Sequence, residues 1–184
     1  FLIIAVAAFS ISAYAIIAVD IDRENMDFAL NEINSSKELY ATSWFANLIG
    51  ALMLVPAGSA LYIIFSNHDK GLALWTLTGL LTASVALIIT TGIFFGLYFL
   101  ADDHAKLGTQ HAASLESVAR ALRFTGNTTW AGGVTLIGTG IIAISLLLIR
   151  DQRMPTPLGF WGFISGLAMF LGWTTVTPLP SNLD

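Results

Sequence analysis

The sequence predicts an all-α, polytopic transmembrane helix bundle, and three observations predict it. Of the 184 residues, 55% are hydrophobic and 11% are charged, against roughly 25% charged in an ordinary soluble domain. Mean hydropathy is +0.75. The 8 basic and 12 acidic residues fall into four clusters plus Asp184, with long uncharged stretches between them. A soluble fold of this size has more surface than so few charges can cover. Lipid around the protein removes that conflict. About 20 apolar residues cross the ~30 Å hydrocarbon core as a helix. Only helices or closed barrels satisfy every backbone group there. The apolar runs lack strict alternation and are too long for barrel strands, so they read as helices.

Five spans are expected, at about 1–19, 43–66, 71–99, 129–149 and 157–177, forming one integral membrane domain over 1–184. The first carries the small residues Ala13, Ala15 and Ala18, which also suit a signal peptide; the segment is kept here as a helix. The second contains Pro56, which removes a backbone bond near Leu52 and predicts a kink that Ser59 is placed to relieve. The third is long for a bilayer and must tilt or protrude. The fifth follows Met154-Pro155-Thr156-Pro157, suited to a helix N-terminus, and stops before Pro178 and Pro180. Trp44, Tyr98, Trp130 and Trp173 fall near one end of the spans, and Tyr62, Trp75 and Trp161 near the other. Such rings favour the headgroup layers.

Two connections are short, 66–70 and 150–156, and two are long, 20–42 and 102–128. The short pair concentrates Lys70, Arg150 and Arg153, whereas the long pair dilutes its basic residues among nine acids. Dense positive charge marks the cytoplasmic side. The expected placement is therefore the cell membrane, multi-pass, with the N-terminus cytoplasmic and the long loops external. The second long loop holds a candidate amphipathic helix, with Leu115, Val118, Ala119 and Leu122 on one face, a Glu116–Arg120 pair on another, and Ser114 as its cap. Met26, Leu30 and Ile33 repeat at similar spacing in the first.

An internal repeat is also legible. Thr42-Ser43-Trp44 and Thr128-Thr129-Trp130 each precede a second tryptophan, Trp75 or Trp161, by the same 31 residues measured from the first tryptophan. Aligning Trp44 with Trp130 makes Ala57, Ser59 and Leu61 coincide with Ala143, Ser145 and Leu147. This is the pattern of one helical hairpin used twice in the same orientation.

Composition narrows the chemistry. With a net charge of −4 and no basic run, no nucleic-acid partner is expected. The absence of cysteine excludes disulfides, cysteine-ligated metal and thiol catalysis. No ionisable side chain lies inside an expected span, which argues against a proton-driven pump or a histidine-held haem. The richest constellation is Asp102-Asp103-His104 followed by His111 and Glu116. Imidazole and carboxylate together suit zinc or copper, so Asp103, His104 and His111 are the metal candidates. The spacing between the two histidines matches no compact motif and does not place them on one helix face. Asn47, Thr82 and Thr135 could line a polar path or simply bond helices together. Gly92-x-x-x-Gly96 and Gly162-x-x-x-Gly166 are close-packing motifs. Asn34-Ser35-Ser36 and Asn127-Thr128-Thr129 match the glycosylation pattern.

The stretch ANLIGALMLVPAGSALYIIFSNHDKGLAL, Ala46 to Leu74, ends a helix in an Ala-Leu-Tyr step before a short polar turn and another helix. With RDQRMPTPLGFWGFISGLAMFLGW, Arg150 to Trp173, it resembles a large family of uncharacterised multi-pass prokaryotic membrane proteins, a domain of unknown function. That resemblance implies a helical membrane fold and supplies no catalytic residues. The expected role is a non-catalytic accessory subunit that packs with other membrane protein subunits and with lipid, and needs no cofactor. A small carrier or lipid-binding protein and a metal-binding external loop are the alternatives.

Overall fold

The computed structural model describes residues 1–19, 26–107, 112–151 and 155–176. The described residues contain six helices and no strand: α1 (Leu2–Ala18), α2 (Met26–Ser35), α3 (Lys37–Phe65), α4 (Lys70–Leu107), α5 (Ala112–Arg150) and α6 (Thr156–Val176). The chain is a membrane protein by this architecture. Three helices, α3, α4 and α5, are long and apolar enough to cross a bilayer.

Among the described residues three helices, not the expected five, have the length and hydropathy of a span. The first and last expected spans do form helices, but their described apolar parts, Leu2–Ile17 and Thr156–Leu171, fall in the 10–17 residue class. A crossing takes about 20 residues at 1.5 Å each, and the described apolar parts of these two helices stop short of that.

The two long connections are also corrected. Residues 102–107 continue α4, and the expected amphipathic segment is the first part of α5, not a separate surface helix. Ser114 lies inside α5, two residues after its start at Ala112, and so is not its cap. With 38 and 39 residues, α4 and α5 each run to about 57 Å, well past the hydrocarbon core. A bilayer ends where charge begins, but a helix ends only where the backbone meets a breaker, and neither Pro nor a Gly-rich turn interrupts these segments. α3 likewise starts at Lys37 and continues through Pro56, with the Ser59 hydroxyl donating to the Val55 carbonyl at 3.0 Å.

Packing divides the chain into two compact units, Phe1–Met53 with Ala86–Trp130, and Leu54–Val85 with Ala131–Asp184. α3, α4 and α5 contribute residues to both.

In the first unit, α1 lies on α3 through small groups. Ser43 donates to the Ser12 carbonyl at 3.0 Å, and the Phe9 ring covers Gly50. The core joins Met26, Ala29, Leu30 and Ile33 of α2 to Tyr40 and Trp44 of α3, Phe94, Leu97 and Ala101 of α4, and Ala119 of α5. The first loop's Met26, Leu30 and Ile33 are thus a buried helical stripe. In α5, Ala119 is fully buried and Leu122 packs on the core, while Val118 is 49% exposed.

The second unit consists of two helical hairpins, α3–α4 and α5–α6. Asp69 closes the first turn. One carboxylate oxygen accepts the Leu72 N–H at 3.0 Å, and the other accepts Arg150 at 2.8 Å from the end of α5. Backbones nearly touch at two seams. A Cβ on Gly79 would lie 3.3 Å from Gly140, and one on Gly138 would lie 2.8 Å from the Gly166 carbonyl oxygen. The positions related by the sequence repeat agree in part: Ser145 and Leu147 are buried where Ser59 and Leu61 are half-buried, and Trp44 is buried where Trp130 is half-buried. Ala57 and Ala143 are buried, Trp75 and Trp161 are exposed, and Ser59 and Ser145 each donate to the carbonyl four residues back.

Aromatic placement differs from a simple interface belt at one position. Trp44 is 7% exposed and stacks on Phe94, with centroids 4.0 Å apart and planes 8° from parallel. It is core. Trp75 and Trp161, at 48% and 70% exposure, suit a headgroup layer. The Trp173 side chain lies outside the described residues.

Candidate functional site

The polar chemistry of the first unit gathers where α2, the start of α3, the end of α4 and the start of α5 meet. Asp102, the first charge after the apolar run of α4, accepts ion-pair hydrogen bonds from Lys106, one turn on, and from Lys37 at the start of α3. Those bonds, Lys106 first and Lys37 second, hold the Asp102 carboxyl at about 2, well below the usual carboxylate range. Lys106 is raised in turn, chiefly by its hydrogen bond to Asp102. Such a depressed carboxylate favours the folded state above its free value near 3.9 and loses that contribution only as pH falls toward 2. The clamp therefore stays charged throughout the physiological range.

Beside it, Asp27 of α2, His104 of α4 and Glu116 of α5 converge. One donor atom from each lies within 4.8 Å of the others. His104 Nε2 is 3.1 Å from Asp27 Oδ1. The His104 side chain is 10% exposed and that of Asp27 53%. Asn31 donates to the second Asp27 oxygen at 3.5 Å, and Arg120 lies 4.0 Å from Glu116. One imidazole and two carboxylates form an N/O donor set suited to a divalent metal.

Of the metal candidates read from sequence, the structure places His104 in this cluster and brings Glu116 to it. Asp103 is exposed and outside it; adjacent residues on a helix point about 100° apart, so His104 and Asp103 cannot face one centre. His111 lies outside the described residues. The third donor, Asp27, went unrecognised. Its spacing to Asn31 and its place before a buried stripe mark a helix, but nothing in the linear order shows that this helix folds over α4 and α5.

The polar residues of the apolar stretches are mostly bonded within their own helices. Thr76 donates to the Leu72 carbonyl, Thr90 to Ala86 and Thr91 to Leu87, at 2.9–3.0 Å. Asn47, in the first unit, donates to the Thr91 hydroxyl at 3.1 Å. In the second unit Thr82 is exposed and donates to the Thr78 carbonyl at 2.8 Å, while Thr135 is half-buried. Of the packing glycines, Gly162 and Gly166 sit on α5 against Ser145 and Gly138, and Gly96 approaches Leu122. Gly92 is exposed, and a Cβ there would meet nothing within 4 Å. Gly79, Gly138 and Gly140 are seam residues that no x-x-x spacing between glycines marked. The second glycosylation pattern lies within α5, and the first straddles the end of α2, with Ser36 in the turn before α3.

Over residues 1–181 the sequence matches a family described as a domain of unknown function. No curated protein and no solved structure matches the chain.

Proposed function

The chain belongs to that family, DUF4386, so its role must be drawn from its own residues, and we propose that it is a non-catalytic packing subunit of a larger membrane protein complex. Gly92 carries the reading. It belongs to a Gly-x-x-x-Gly pair on α4, yet among the described residues nothing lies within 4 Å of where its Cβ would stand. Around it Ile88 and Ile89 are 36% and 52% exposed. An open glycine among large apolar side chains lets a second helix approach closely, and membrane helices associate through such contacts. The threonines of the apolar stretches support the same view, because hydroxyls that already donate to carbonyls of their own helix leave little for a moving solute. In this reading the charged segments 20–42 and 102–128 are external and the short connections cytoplasmic, consistent with the basic residues packed into the short connections.

Affinity purification from native membranes in mild detergent should yield the chain with a defined partner at constant ratio. Gly92→Leu should lose that partner while the isolated chain melts as wild type. Gly132→Leu, on α5 and equally open, should keep it. A chain that elutes only as a free monomer would sink the proposal.

The small-carrier reading makes a different prediction. Under the packing role, Asn47→Leu with Thr82→Val should leave partner binding intact and change stability by about 0.6 kcal/mol, the usual worth of an interhelical hydrogen bond. Loss of a transport activity or of a bound lipid in that double variant would favour the carrier.

A further inference from the structure

We propose that Asp27, His104 and Glu116 bind one divalent transition-metal ion, with zinc the best chemical match, and that the ion fastens α2 to α4 and α5. The inference stands apart from the packing role, since it concerns the isolated chain.

The donor set is the first argument. Three protein ligands plus water is a common zinc arrangement, and both imidazole nitrogen and carboxylate oxygen bind zinc at about 2.0–2.2 Å. Around a tetrahedral ion such ligands stand roughly 3.3–3.5 Å apart. His104 Nε2 and Asp27 Oδ1, at 3.1 Å, already have almost that separation. The three donors span no more than 4.8 Å, so a carboxylate rotation of about 1 Å at Glu116 completes the set.

Origin is the second argument. The ligands come from three helices remote in sequence and meet only because the shared core of Leu30, Ile33, Leu97, Ala101 and Ala119 docks those helices together. His104 is largely shielded, which limits its freedom. Asp27, the most exposed of the three, leaves a side open to water. Asn31, bonded to the far oxygen of Asp27, orients that carboxylate as an outer-shell partner would. Arg120, 4.0 Å from Glu116, sits on a solvent-exposed stem and can swing away when the carboxylate turns to the ion.

The test uses the full chain in mild detergent, stripped with a chelator and titrated with Zn²⁺ or Mn²⁺ against a chromophoric competitor. One Zn²⁺ per chain is expected, with weaker Mn²⁺ binding as the general affinity order requires. His104→Ala, Asp27→Asn and Glu116→Gln should each weaken Zn²⁺ at least about 10-fold. Zn²⁺ should raise the melting midpoint of wild type but not of these variants. Asp27→Asn and Glu116→Gln keep side-chain shape, so their metal-free melting should match wild type and separate lost binding from lost folding. Asp103→Asn and His111→Ala should bind as wild type. The proposal fails if no stoichiometric Zn²⁺ is retained. It also fails if Asp27→Asn and Glu116→Gln bind normally, or if His111→Ala abolishes binding.

Discussion

Gly138→Leu is expected to prevent α6 from seating on α5 and to cost about 3 kcal/mol or more. An added Cβ would lie 2.8 Å from the Gly166 carbonyl oxygen and 3.1 Å from the Phe170 nitrogen. Both are backbone atoms of a helix and cannot step aside as a side-chain tip can. Overpacking of ordinary cores costs ~1–3 kcal/mol, and Leu adds three more heavy atoms beyond Cβ at a seam closed by main chain. Gly162 and Gly166 face α5 in the same contact, so separation at Gly138 also uncovers Ser145 and Ile142. Thermal unfolding followed by size-exclusion fluorescence in detergent measures the effect. Gly132→Leu is the control; with nothing within 4 Å, it should be neutral or slightly stabilising through helix propensity. If Gly138→Leu melted with wild type, a close α5–α6 seam at Gly138 and Gly166 would be untenable.

Trp44→Ala should be the second severe change, at about 3–5 kcal/mol. Trp44 stacks on Phe94, and Tyr40 meets its edge with centroids 6.1 Å apart and planes at 65°. Tyr40 also donates its hydroxyl to the Phe94 carbonyl at 3.3 Å. Removing the indole therefore opens a void between α3 and α4 and loosens the ring that ties their backbones. The membrane does not remove this cost, because a void forfeits dispersion contacts whatever solvent lies outside. Trp75→Ala is the comparison. Its indole is 48% exposed, and its loss should cost about 1 kcal/mol or less. Equal melting of the two variants would show that Trp44 lies at the surface after all.

These two tryptophans show where sequence reasoning reaches its limit. Each lies near the end of an apolar run, which is all that linear order can reveal, and each suits the headgroup layer equally well. Whether an indole meets lipid or another helix depends on the rotation of its helix about its axis, and in α3 every face is apolar, so no moment fixes that rotation. The glycines behave likewise. Gly92-x-x-x-Gly96 and Gly162-x-x-x-Gly166 carry the same signature, but only the second pair meets another helix of this chain at both of its glycines.

The candidate site divides in the same way. His104 and Glu116 stood out because charge is rare here and theirs is clustered. Asp27 did not, since its connection to them runs through the docking of α2. The sequence alone determined that this chain is helical and belongs in a membrane: runs of 20 or more uncharged apolar residues have no other low-energy home than hydrocarbon, and there the backbone must bond to itself. Tertiary structure decided how far each helix continues beyond that hydrocarbon, which small residues touch, and which three donor side chains converge. Those outcomes depend on contacts between residues far apart in the chain, and composition carries no record of which apolar face meets which.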